Sequence, residues 1–164
     1  MKPLDYAITE IGNEEIPRGS NWGIHVQKYL KDVGINFPAS WCMAYVYWCV
    51  DEWAHLIGIS NPLVKTGGVL AQWNTVNPAY KIKAPFVTPL QPGDIFIMDF
   101  GKGLGHTGFV ESVVSNGDKA PVEINTIEGN TNDTGSREGY EVCRRKRKIS
   151  SCVGFIRIPL EQAV

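Results

Sequence analysis

Pro38-Ala39-Ser40-Trp41-Cys42-Met43-Ala44-Tyr45-Val46 opens the longest apolar-periodic run of the chain, and its reading decides the fold. The proline, alanine and serine make a turn, and Ser40 is read as the N-cap of a helix running to about residue 57, where Gly58 stops it. Val46, Val50, Trp53 and Ile57 form a stripe at helical spacing that needs a partner surface. Upstream, residues 4–11 are a short periodic stretch ended by Gly12. Residues 23–33 place Val26, Tyr29, Leu30 and Val33 on one face before Gly34. A fourth short helix is expected over residues 68–75. From Pro85 the period changes to two. Strands are expected over residues 94–98, 106–114 and 122–128, then over 140–149 and 153–158 as a closing pair. Helices first and antiparallel strands after them make an α+β fold, with the helix of Cys42 packed on the sheet.

Composition narrows the function. The chain has 164 residues, 43% apolar and 20% charged, with 16 basic residues against 17 acidic, a net charge of −1. That balance gives no footprint for nucleic acid or a membrane surface, and with no heptad repeat it favours a monomer. No apolar run approaches the ~18 residues of a membrane span, and the start has no signal region. Synthesis in the cytoplasm is therefore expected. Four cysteines do not make a disulfide scaffold. Cys42 and Cys49 lie roughly 10 Å apart along a helix axis, too far to bond. Cys143 and Cys152 flank Arg144-Arg145-Lys146-Arg147-Lys148 and could face one another across a hairpin, although burial as two small residues is the favoured reading. No Cys/His spacing fits zinc, and no metal is expected.

Cys42 at a helix start feels the positive end of the dipole, which favours thiolate over thiol. Gly105-His106-Thr107-Gly108-Phe109-Val110 places a glycine-flanked histidine on a strand, and Ile127-Glu128-Gly129-Asn130 ends another strand with an acid. A thiol attacks a carbonyl as thiolate, so it needs a neighbouring base or cation. His106 is the candidate base, and Gly108 on the same strand face leaves space above its ring. Glu128 could accept from the other ring nitrogen and fix the tautomer. Asn130 could orient the ring or donate to an oxyanion, as could the backbone N–H of Cys42. Each residue alone is weak, since a single cysteine in an apolar segment is more often core than nucleophile. Their order and context together describe a cysteine hydrolase.

The stretch at 38–46, Pro92-Gly93-Asp94-Ile95, Gly105-His106-Thr107-Gly108 and Glu128-Gly129-Asn130 together resemble the CHAP family of cysteine, histidine-dependent amidohydrolases and peptidases. The likeness runs over residues 8–158, in the family's order, and takes in Asn21-Trp22-Gly23 and Arg144-Arg145 before Val153-Gly154-Phe155. It implies a papain-like α+β fold with an antiparallel sheet of about five strands, and one catalytic domain over residues 1–164. It also implies cleavage of an amide bond in peptidoglycan without a cofactor, by an N-acetylmuramoyl-L-alanine amidase or an endopeptidase. Cys42 matches the nucleophile, His106 the base, Glu128 the orienting acid and Asn130 the accompanying asparagine. Met43 departs from the small residue often found after the cysteine, which alters the pocket there. Some members hold calcium through acids before the nucleophile; residues 34–41 contain none, so none is expected there.

The expected partner is the stem peptide or cross-bridge of the wall. A phage endolysin released by a pore and a delivered antibacterial toxin with a cognate immunity protein both fit the lack of a signal segment. The alternatives are a cysteine protease or amidase acting on a non-wall polypeptide, and a non-catalytic wall-binding module. Trp41, Trp48, Trp53 and Trp73 are core candidates, with Trp41 and Trp73 also candidate substrate-binding walls. His25 and His55 read as exposed helix residues. The basic run 144–148 reads as a solvated strand, one face of which could attract stem-peptide carboxylates. Residues 130–136 read as a polar loop, where calcium is weighed and disfavoured.

Overall fold

In the computed structural model, which describes residues 1–131 and 139–160, four helices precede a six-stranded antiparallel sheet. The helices are α1 (Pro3–Thr9), α2 (Ile24–Asp32), α3 (Cys42–Ile57) and α4 (Val69–Thr75). The strands are β1 (Lys81–Lys83), β2 (Ile95–Gly101), β3 (Leu104–Val113), β4 (Glu123–Thr131), β5 (Glu141–Lys148) and β6 (Gly154–Ile156), in the order β1-β6-β2-β3-β4-β5. The α+β fold expected from the change of period is the observed one. Most of the run at 130–136, where calcium was weighed, lies outside the described residues.

α3 is the strut of the molecule. Its predicted stripe is buried as far as Trp53, while Ile57 is 42% exposed at the end of the last turn. Met43, Ala44, Tyr45 and Cys49, off the stripe, are buried as well, because α1 and α2 cover one side of the helix while β3 and β4 cover the other. Gly58 closes the helix with φ 76°, the left-handed C-terminal cap that glycine adopts without strain. At the other end the structure corrects the sequence reading. Ser40 does not cap the helix; Trp41 occupies the N-cap position and makes no side-chain cap bond.

The strand reading needs two corrections. β1, a three-residue strand, carries too little pattern to be seen in advance and pairs with β6. The segments read as a closing pair do not pair: β5 joins β4 at one edge, whereas β6 lies between β1 and β2. Burial explains the split. All three β6 residues are buried, which suits an internal strand, while β5 from Cys143 onward alternates half-buried with exposed, as an edge strand does. Cys143 and Cys152 are not joined by a disulfide.

Where α2 meets α3, Asp32 lies against Asp51. Burial first, and then the Asp51 and Glu52 charges, raise its pKa from 3.8 to about 7, with only His55 opposing. An acid raised on folding costs stability once pH passes its unfolded value, and in full above its folded one. Asp32→Asn is therefore expected to stabilise the chain at pH 8 by about 1 kcal/mol after solvent screening, or ~2–4 °C in Tm, with the gain vanishing near pH 4. Thermal melts of both proteins across that range check it.

Candidate active site

Three consecutive residues of β4 build the site, and each does something different. Glu128 points across to β3, where one carboxylate oxygen meets His106 Nε2 at 2.8 Å. Gly129 lets α3 approach, because a Cβ there would lie 2.7 Å from the Trp41 indole and 3.0 Å from the Tyr45 ring. Asn130 has φ 58°, in the left-handed region that asparagine tolerates better than most residues. Its Oδ1 accepts from the Trp41 backbone N–H at 2.9 Å, and its Nδ2 donates to the Gly139 carbonyl at 2.6 Å. Strand pairing with β5 slips between Glu128 and Thr131, which accommodates this turn of the backbone. The Trp41 N–H, just ahead of the first helical turn, is thus tied down by Asn130, 89 residues along the chain from Trp41.

Asn130 therefore does not orient the histidine ring; its amide is spent on the start of α3 and on Gly139. Its effect is to anchor the residue before Cys42. Cys42 is the first residue of α3, so its N–H belongs to the turn that has no intrahelical acceptor. Trp41 is likewise no wall of a cleft. It is wholly buried, stacks on Tyr29 with ring centroids 5.7 Å apart, and donates its indole N–H to Glu15 at 2.8 Å. Trp73 packs over Gly154 of β6 and under the Lys81 ammonium, two strands away from the strand that carries His106.

His106 is fully buried and lies against Phe96, ring centroids 5.9 Å apart. Glu128 takes Nε2, and among the described residues Nδ1 has no hydrogen-bond partner. The Cys42 thiol, 4% exposed, lies close enough to the ring to act on its charge. Burial alone would lower the His106 pKa; the neighbouring Cys42 sulfur and the Glu128 carboxylate outweigh it and raise it to about 9, favouring the charged ring. Burial would likewise raise Glu128, but hydrogen bonds from Arg147 and His106 win and hold it down at about 2.

Two members of this network are absent from the sequence reading. The Thr126 hydroxyl donates to Glu128 Oε2 at 2.6 Å, and the Arg147 guanidinium grips the same carboxylate with Nε on Oε2 at 2.8 Å and Nη2 on Oε1 at 2.5 Å. Thr126 was legible, being two residues from Glu128 and so on the same strand face. Arg147 was not. Its backbone pairs with Ile124, about 13 Å along β4 from Glu128, and its side chain reaches diagonally. The basic run is thus not simply solvated: Arg147 is spent on Glu128, and Arg144 pairs with Glu111.

Gly108 has a sharper reason to be glycine than room above the ring. A Cβ there would lie 2.7 Å from the Ile127 carbonyl, 2.8 Å from Glu128 Cγ and 2.8 Å from the Phe96 ring. Gly108→Ala is expected to push Glu128 off His106, lowering kcat at least tenfold and destabilising the fold by about 1–3 kcal/mol. Activity and thermal melting measured on the same preparation check both numbers.

The CHAP domain family matches the chain over residues 34–130, a stretch that includes Cys42, His106, Glu128 and Asn130. No curated protein matches. Among solved structures the chain is similar to that of a wild-type endolysin, LysIME-EF1, with a TM-score of 0.58 and 19% sequence identity. The superposition covers 97% of this chain and 63% of the endolysin chain, so the present chain spans less than two thirds of that protein's length.

Proposed function

The chain belongs to the CHAP domain family, and on that premise we propose that it hydrolyses an amide bond of peptidoglycan with Cys42 as nucleophile. The observation that carries the mechanism is the buried line of groups in which Arg147 hydrogen-bonds Glu128, Glu128 hydrogen-bonds His106, and the unpartnered Nδ1 of His106 is left for the neighbouring Cys42 thiol. The wall substrate is supported by the family and by the endolysin character of the structural neighbour.

His106, whose charged form its neighbours favour, takes the Cys42 proton. Thiolate and imidazolium then form an ion pair. The thiolate attacks the amide carbonyl, and the developing oxyanion finds the N-terminal turn of α3, with the Cys42 N–H among its donors. His106 then gives its proton to the leaving amine, and a thioester acyl-enzyme remains. Neutral His106 next draws a proton from water, hydroxide displaces the thiolate, and the carboxylate product leaves. Glu128 holds the ring in place through Nε2 in both protonation states, and Asn130 holds the helix start that carries the nucleophile.

Mass spectrometry of the soluble products from purified peptidoglycan tests the reading and names the bond. Intact stem peptides freed from glycan identify an amidase, while cut stems or cross-bridges identify an endopeptidase. Absence of any new amine with the native protein would refute the proposal.

A further inference from the structure

Glu128 is a carboxylate with no exposed surface, set between two cationic groups. A carboxylate buried alone takes up a proton, because an uncompensated charge in the interior is costly. His106 cannot be its whole compensation, since the same ring faces Cys42. Counting charges along the line makes the point. Thiolate, imidazolium and carboxylate together carry one net negative charge in a buried site, and the guanidinium brings the sum to zero. The Arg147 side chain is only 14% exposed, and its fork meets both carboxylate oxygens. Around it stand Glu128 of β4, Cys143 of its own strand and Cys152 just before β6; around Glu128 stand His106, Thr126 and Arg147.

We propose that Arg147 is a positioning residue of the cysteine site, holding Glu128 ionised and turned toward His106 so that the Cys42–His106 pair can stay charged. The role rests on Cys42 being the nucleophile. Without the guanidinium the site can return to neutrality in two ways. Glu128 can take a proton and lose its hold on the charged ring, or the thiolate can take one. Either route lowers the fraction of ready nucleophile. A merely structural arginine would instead change the melting temperature and leave thiol reactivity alone.

The test is the rate at which iodoacetamide alkylates Cys42 in the full chain between pH 5 and 9, read on the Cys42-bearing peptide by mass. Arg147→Gln removes the charge and the fork but keeps one hydrogen-bond donor; Arg147→Met removes every donor, and either one that folds serves. The expected result is an alkylation rate at pH 6.5 reduced about tenfold or more, with the acid limb of the profile moved to higher pH. Arg147→Lys restores a cation with a single contact and is expected to recover at least half of the loss on a logarithmic scale. Neutral variants within twofold of the native rate, or a lysine variant no better than glutamine, would overturn the role of Arg147. Native Cys42 reacting no faster than glutathione is a different result, and it would overturn the nucleophile reading itself.

Discussion

Cys42→Ala is expected to leave the fold intact and to abolish release of soluble wall fragments, with a loss of at least about a thousandfold. The alanine removes one sulfur from a position that is 4% exposed, flanked by Trp41, Met43, Ala44 and Tyr45, all fully buried, so the helix start keeps its packing. The Asn130 bond to the Trp41 N–H involves no Cys42 atom and survives. What disappears is the thiol, the strongest nucleophile of the line. His106→Ala is expected to fail to a similar degree, because in a catalytic unit removal of either partner costs about as much as removal of both. The two losses should therefore not add in the double variant. Native-like circular dichroism with activity within tenfold of native for Cys42→Ala would place the chemistry elsewhere.

The helical half was legible because its information is local. The stripe Val46, Val50, Trp53 and the stop at Gly58 are written within one turn of where they act. Cys42, His106 and Glu128 were legible as candidates because each sits at a conspicuous junction of glycines or at an element's end, and the structure brings the three side chains together. What the sequence concealed was long-range. The Trp41 N–H at the start of α3 is held by Asn130, 89 residues away, and no local pattern announces that bond. Arg147 reads as one of five consecutive basic residues; its backbone pairs with Ile124, and only the folded sheet shows that its side chain reaches diagonally to Glu128. Likewise the burial of Trp41 depends on Gly129, Tyr29 and Glu15, from three separate segments. Partnering across the sheet, rather than element type, is what short-range periodicity does not encode.

Glu128→Gln is the substitution expected to separate stability from chemistry most clearly. Glutamine fills the same volume and can still accept from His106 Nε2 with its carbonyl, so turnover is expected to fall about 10- to 100-fold rather than vanish. Stability suffers more. The amide end would face the Arg147 fork donor to donor, and a buried guanidinium would lose its counter-charge. The fall in the Glu128 pKa from 4.5 to about 2 corresponds to roughly 3 kcal/mol, which the variant forfeits. In a chain of this length that lowers Tm by about 6–12 °C. The sign of the pH dependence follows from the two shifts. Glu128, depressed on folding, contributes fully above pH 4.5, and its contribution fades as pH falls toward 2. His106, raised on folding, contributes fully below 6.5, and its contribution fades as pH rises through about 9. Both shifts draw on one shared contact, so they define a window rather than two separate gains. The gap in Tm between native protein and Glu128→Gln is therefore expected to be widest near pH 5–6.5, narrower at pH 3, and narrower again at pH 9.5, where only the Glu128–Arg147 pair still distinguishes them. Coincident melts at pH 6 would mean that the buried carboxylate contributes nothing to folding, and the charged line of groups would then have to be redrawn.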